Sequence, residues 1–406
     1  MANKKSSTSK KSSSSKTTKK VVKAATKVAK KNPALFVLLI VVVIVLGVGG
    51  YFAYKYVLEP RLAAHGSEPE SSQRSIYEGE TTAMDINFLE LGNKYTGDST
   101  FIKAGDVDIL IDAGSRKNSA TTIANFIDNY CTDGILEYVI ATHAHQDHIA
   151  AFVGSNSDKG IFERYKIDTL IDFSRTVNED ESKATQLYKD YIQLRDSKIS
   201  NGDIAHHYTA NDCIQGTNGA KKVYTLGEGM EMEILDQKYY RELDKNDENN
   251  HSVCTLFTQA NNHYLFTGDL EKEGEASLVE HNNLPECELF KGGHHGSYTA
   301  NTDTLLNVIK PKTVCICCCA GWKEYSDNPE NMFPAQAAIN RMAKWTDKIY
   351  VTTVSTDTEG SDYHSMNGNI NFHCAKGKEY TVTGSNNSVI LKDTDWFKNN
   401  RTWPSY

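Results

Sequence analysis

Aspartate and glutamate are absent from the first 32 residues, which hold eleven lysines among many serines and threonines. A segment so charged and so poor in apolar side chains cannot bury enough surface to fold, so 1–32 is expected to be a disordered basic tail. A second long apolar run is missing too. The one present, ALFVLLIVVVIVLGVGGYFAYKYV at 34–57, is broken only by Lys55 and suffices to cross the ~30 Å hydrocarbon core once as a helix. A single span (33–57) excludes a multi-helix transport channel built from this chain alone. It also exceeds the roughly 7–15 apolar residues of a signal-peptide core, so an uncleaved anchor is expected. With the lysine tail on its N-terminal side, the positive-inside rule predicts a single-pass protein of the cell membrane. The lipid bilayer would be contacted through 34–57, with the N-terminus cytoplasmic and the remaining chain extracellular.

A disulfide framework is also lacking. The nine cysteines are an odd number, which forbids complete internal pairing. Four fall in the apolar run 313–320, where they read as small hydrophobic residues of a buried strand. Cys315 and Cys318 form a nominal CxxC, but on a strand that spacing sends the two side chains to opposite faces. Positive charge is scarce beyond the tail: with those eleven lysines set aside, 33 basic residues face 52 acidic ones, a net of −19. Broad electrostatic capture of nucleic acid is disfavoured by such a surface, although a local basic groove remains open.

What is present in density is histidine. Tyr138 to Thr142 is an apolar, β-branched run of strand type, and His143, His145, Asp147 and His148 follow directly as HAHQDH. His143 and His145 are two apart and point the same way in an extended loop, so they can hold one cation, while Asp147 and His148 begin the next turn and face a second. Imidazole and carboxylate donors suit Zn, Mn or Fe, and no cysteine accompanies them as a closed structural zinc site requires. The pattern implies an open, catalytic centre for two divalent metal ions.

Polar ligands recur after later strand-like runs. Asp269 follows 264–267, where a carboxylate can bridge two cations. Phe290-Lys291-Gly292-Gly293 leads into His294, His295 and Ser297, and one of the two histidines can complete the second metal. Asp112 ends a run over 107–111, and Asn250 and His251 lie in an asparagine-rich block. The periodicity predicts strands over 85–91, 99–104, 107–111, 136–142, 166–173, 222–226, 230–235, 264–267, 313–319 and 348–353. Helices are predicted over 119–130, 181–198, 271–279, 302–309 and 334–344. His206 and His207 read as loop residues. Residues 58–80 read as a polar linker, 81–406 as the folded domain, and the part from about 356 as a C-terminal β extension.

The ordered set GDSTFIKAG, ILIDAG, THAHQDH, NNHSV, LFTGDLE and FKGGHHGS resembles the metallo-β-lactamase superfamily, closest to the ComEC-like hydrolase domain of DNA-internalisation competence proteins, over about 84–355. The resemblance implies an α/β fold, a four-layer αββα sandwich with its site along one edge of the two sheets. It implies His143 and His145 as first-metal ligands, Asp147 and His148 as the second-metal pair, Asp269 as the bridge and His294 or His295 as the last ligand. Asp147, Lys291 and His295 are the expected catalytic groups, with Asp98, Asp112 and Ser297 in support. The third first-metal histidine is replaced by the asparagine-rich block, where Asn250 or His251 can ligate.

Two further departures stand out. The turn before GDS is the longer GNKYTGDS, which would reshape one wall of the pocket, and the family's late Tyr-Gly-His-Pro segment becomes Tyr325-Ser-Asp-Asn328-Pro. The expected activity is a two-metal (Zn or Mn) phosphodiesterase, on DNA by likeness or on a cell-wall polymer such as choline-bearing teichoic acid by location. The alternatives are a lactone or thioester hydrolase and a non-catalytic, metal-stabilised binding module.

Overall fold

The computed structural model describes residues 77–155 and 157–406. The basic tail, the apolar span and most of the linker lie outside the described residues. Among the described residues no helix is long and apolar enough to cross a membrane.

Two mixed sheets of eight strands each form the centre. The first contains β1 (Met84–Phe88), β2 (Thr100–Ala104), β3 (Val107–Ile111), β4 (Ile135–Ile140), β5 (Lys166–Asp172) and β6 (Ile204–Thr209) in that spatial order. The second contains β7 (Val223–Gly227), β8 (Met230–Ile234), β9 (Thr255–Gln259), β10 (Asn262–Phe266), β11 (Leu289–Lys291), β12 (Val314–Ala320), β13 (Ile349–Ser355) and β14 (Tyr363–Ser365). β15 (Ile370–Cys374) and β16 (Tyr380–Gly384) return to the first sheet, with β15 antiparallel to β1. The segment from 356 therefore supplies edge strands to both sheets. In each sheet hairpin-paired antiparallel strands give way to parallel ones: β3, β4, β5 and β6 in the first, β10 to β13 in the second.

Helices cover both outer faces. Ile123 and Ile127 of α1 (Ser119–Ile127), Phe152 of α2 (Gln146–Val153) and Tyr191 of α3 (Gln186–Asn201) pack on the first sheet. Leu278 of α4 (Lys272–His281), Leu305, Leu306 and Ile309 of α5 (Asp303–Ile309), and Ile339 and Met342 of α6 (Gln336–Met342) pack on the second. Helix, sheet, sheet and helix make four layers, as expected. Between the sheets Phe88 stacks on Phe266 at 6.1 Å and Tyr264 meets Phe372 at 5.2 Å. Each such buried ring contributes about 1.5–3 kcal/mol of transfer free energy.

All nine cysteines are free and buried. Cys315 and Cys317 face the core between the sheets, while Cys318 joins the outer core with Ile316, so the CxxC pair does face opposite ways. α3 starts later than its charge pattern suggests, because the Thr185 hydroxyl caps it by accepting from the Tyr188 N–H, and it ends at left-handed Gly202. β6 is the strand the sequence pattern hid. His206 and His207 lie on it and not in a loop, and His207 Nε2 is 2.9 Å from Asp172. A polar, outermost strand carries little hydrophobic alternation to read.

Candidate metal centre

Parallel neighbours place their C-terminal ends at one edge of a sheet, and the ligand-bearing turns sit there. Asp112 follows β3, the histidine run follows β4 into α2, Asp269 follows β10, and Lys291 closes β11 before a turn carrying His294 and His295. Main-chain hydrogen bonds bind these turns together. Asp98 N–H donates to the Asp147 carbonyl at 3.0 Å, Ala113 N–H to His148 O at 2.8 Å, and Gly114 N–H to Asp98 O at 2.8 Å. A Cβ on Gly114 would stand 1.6 Å from the Asp147 carbonyl oxygen, so only glycine permits this approach. Val253 N–H, just ahead of β9, donates to Thr142 O at 2.9 Å and ties the second sheet's loops to the first's.

Four side chains converge: Asp98, His148, Asp269 and His295 are buried and can each offer one ligand atom within 4.8 Å of the others. Asp269 Oδ2 lies 3.1 Å from His148 Nε2 and 3.2 Å from His295 Nε2. Asp147 Oδ2 is 3.4 Å from His295 Nε2. The far ring nitrogens are fixed from behind: Asp112 Oδ2 is 2.7 Å from His148 Nδ1, and the Cys317 carbonyl is 2.8 Å from His295 Nδ1. Asp112 is itself held by Thr142, whose N–H and hydroxyl donate to its carboxylate at 2.7 and 2.8 Å. Such partners aim Nε2 into the cluster. His143 and His145 lie alongside, His143 Nε2 3.0 Å from His145 Nδ1, with the His143 ring 4.1 Å from that of His148.

The electrostatics fit a cation. Four carboxylates, Asp98, Asp112, Asp147 and Asp269, are buried here. Burial alone would raise the Asp147 and Asp269 pKa values, but the surrounding imidazoles, and Lys291 beside Asp269, hold both well below the usual carboxylate range. Burial opposes charge on His148 as well, yet Asp269 and Asp112 push its pKa up to about 10; Asp269 and Asp98 drive His295 well above its ordinary value. Protons on these rings thus balance the acids. Burial, with His148 and His145 nearby, keeps His143 neutral and its lone pair available. Both Asp98 carboxylate oxygens, Asp269 Oδ1 and His295 Nε2 are buried without a well-formed hydrogen bond, and unsatisfied ligand atoms gathered in one cluster are what a bound cation would satisfy.

Several expected residues stand elsewhere. His294 is outside the converging group: its Nε2 is 4.0 Å from Asp269, and its Nδ1 is 3.3 Å from Glu271. It and His295 both adopt left-handed backbone, φ 46° and 52°, which turns the second ring inward and leaves the first at the lip. The adjacent pair thus divides, with His295 in the cluster and not His294. Lys291 is buried, not open to solvent: it is 3% exposed, is ion-paired to Asp98 and lies 3.4 Å from Gly268 O. Asn250 and His251 also lie outside the group. His251 has both ring nitrogens against the Tyr239 and Asp244 carbonyls, at 3.2 and 3.1 Å. Asn250 donates to Asp247 and accepts from the N–H groups of Glu271 and Gly274. Both are buried braces of the loop. Ser297 is spent on Thr299, 2.8 Å away. One residue went unassigned on sequence: the Tyr325 hydroxyl donates to Asp147 Oδ2 at 2.9 Å, and only its place in the altered late segment hinted at it.

No family model matches the chain. Two curated relatives do: ComE operon protein 3 of Bacillus subtilis, 23% identical over 263 residues (59% of this chain, 29% of that protein), and Recombination protein 2 of Haemophilus influenzae, 28% identical over 108 residues (27% and 13%). The chain thus spans under a third of the length of either. Among solved structures, the metallo-β-lactamase fold protein YhfI from Bacillus subtilis aligns with 74% of this chain and 99% of its own, at 9% identity and TM-score 0.38. Human tRNase Z, short form, covers 70% and 99% at 13% identity and TM-score 0.32. The chain is similar to metallo-β-lactamase-fold proteins. The ComE operon relative agrees with the ComEC-like resemblance to which the motifs pointed.

Proposed function

We propose that the chain is a metal-dependent hydrolase of phosphodiesters, held at the outer face of a membrane by 34–57. The convergence of Asp98, His148, Asp269 and His295 within 4.8 Å supports it most directly. His148, His295, Asp147 and Asp269 would hold one divalent cation, and His143 and His145, with Asp269, a second. Bound cations would supply Lewis-acid activation of water and neutralise phosphoryl charge. The chain's own groups do the rest. Asp112 and the Cys317 carbonyl fix the two imidazoles, Lys291 holds Asp98 beneath the cluster, and His294, open at the lip against Glu271, is placed to give a proton from Nε2 to the leaving oxygen. The competence-family likeness and the Haemophilus relative, which is named for recombination, favour DNA over a cell-wall polymer as the diester.

Elemental analysis of the unchelated full chain should return two divalent metals, Zn or Mn. Chelation should abolish hydrolysis of bis-p-nitrophenyl phosphate and metal should restore it. Because His148 with its pKa at about 10 and the raised His295 must shed protons to become ligands, metal binding should release protons. Affinity should then rise with pH across roughly pH 6 to 9, up to tenfold per unit for each proton displaced. One metal or none would sink the two-cation reading, and binding without proton release would show that His148 and His295 are already neutral in the free chain.

The topology is tested separately. Protease added to intact cells should remove the C-terminal domain and spare the lysine tail. Digestion of that domain only after lysis would place it on the cytoplasmic side.

A further inference from the structure

The longer turn GNKYTGDS and the altered segment at Tyr325 meet on one side of the site. Tyr325 is 54% exposed, unusual for so large a ring. It is nonetheless fixed at two points. Its hydroxyl donates to Asp147 Oδ2, and one face packs on Phe333, with ring centroids 5.5 Å apart and planes 30° apart. The aromatic surface this leaves in solvent is therefore pre-ordered beside a proposed metal ligand.

Next to it is a cationic ledge. Lys94 of the long turn lies 5.6 Å from the Trp322 ring centroid, Tyr95 meets Trp322 at 5.0 Å, and the Arg116 guanidinium covers Tyr95 at 3.8 Å. Glu324, the neighbour of Tyr325, joins the two parts by accepting from Arg116 at 2.9 Å and from the Thr96 N–H at 2.8 Å. On a domain whose net charge is strongly negative, a lysine and an arginine set on aromatic rings at the lip of the proposed site are a local concentration of cations, Arg116 held in place by Glu324 and Lys94 in no ion pair among the described residues.

From this juxtaposition we infer that the lip is a base-stacking subsite: Tyr325 carries an unpaired nucleobase next to the scissile phosphate, and Lys94 and Arg116 meet the phosphates that follow. The inference rests on the phosphodiesterase reading and narrows its substrate to single-stranded nucleic acid. A duplex keeps its base faces covered by stacking, and a polyol-phosphate polymer has no flat ring to place on the tyrosine.

The test compares two phosphorothioate-linked oligonucleotides of equal length, oligothymidylate and its abasic counterpart, so that binding to the metal-loaded full chain is read by fluorescence anisotropy without rapid cleavage. The native chain should bind the base-bearing strand roughly tenfold or more tighter. Tyr325→Ala should bring that ratio close to one, whereas Tyr325→Phe, which keeps the ring and loses only the bond to Asp147, should retain most of it. Lys94→Ala should weaken both strands alike and reduce the salt dependence. A ratio near one in the native chain would overturn the subsite and assign the lip to a base-free phosphate polymer; an unchanged ratio in Tyr325→Ala would overturn the role of Tyr325. If the chain cleaved no phosphodiester and still showed the base-dependent ratio, the hydrolase reading would fail while the stacking subsite stood.

Discussion

Asp269→Ala should lose bound metal and turnover together. Asp269 Oδ2 is within 3.1 to 3.2 Å of both His148 Nε2 and His295 Nε2, and 4.0 Å from His294. Asp98 reaches the His148 and His295 rings only at 3.9 and 3.4 Å. Removing it withdraws a ligand from both proposed cation positions and leaves like charges facing each other with less screening. A loss of several kcal/mol of charge stabilisation corresponds to roughly 10³-fold or more in rate. Asp147→Ala is narrower, because that carboxylate touches His295 and Tyr325 at the edge; a one-metal protein with weak residual activity is expected. Elemental analysis and bis-p-nitrophenyl phosphate hydrolysis on the same preparations decide the matter. If Asp269→Ala kept two metals and the native rate, the proposed centre would be wrong.

The strands that deliver the ligands were legible because they are buried and short. β3 was expected at its observed bounds, and β4 and β5 within two residues, since apolar runs ending in Asp or His leave little freedom. The elements that misled were those whose pattern is set by solvent. β6 reads as polar loop because only Ile204 on it is fully buried, and α3 reads as starting early because its charges extend past its cap. At the site, one-dimensional spacing placed Asp112, His143, His145 and Asp269 just after strands, where the structure has them, and Asp147 and His148 in the turn that follows, which is the first turn of α2.

It could not separate His294 from His295, since the distinction comes from two consecutive left-handed residues, a conformation that sequence does not announce for histidine. Nor could it tell that the asparagine-rich block folds back on itself: the Asp244 and Tyr239 carbonyls that occupy His251 are reached only through the tertiary path of that loop. Tyr325 lies 178 residues from Asp147, so no local pattern could join them.

Lys291 occupies its expected place in the motif but in surroundings the motif did not announce. Its place in the motif suggested an ammonium facing the phosphoryl oxygens, but the side chain is buried under the cluster, ion-paired to Asp98 and 3.6 Å from Asp269 Oδ1. Burial opposes its charge, yet the two carboxylates hold the ammonium's pKa above its ordinary value. Asp98 is the counterpart: burial would raise it, while Lys291 and His295 keep it below 3.8. Lys291→Ala would leave that carboxylate with only His295 at 3.4 Å and His148 at 3.9 Å. Removing one member of a buried pair costs about 3–5 kcal/mol, so the metal-free variant should melt well below the native chain. In the native chain Asp98 adds stability above its ordinary pKa that is lost as pH falls through its lowered one. Without Lys291 burial dominates, the folded pKa rises, and the deficit should be largest at neutral pH and shrink as acid protonates Asp98. Lys291→Met combined with Asp98→Asn should recover much of the loss, because a neutral pair leaves no stranded charge. Thermal melting of the chelated variants across pH reads all three. A Lys291→Ala chain that melted like the native one and was slowed only in turnover would return the ammonium to the substrate side.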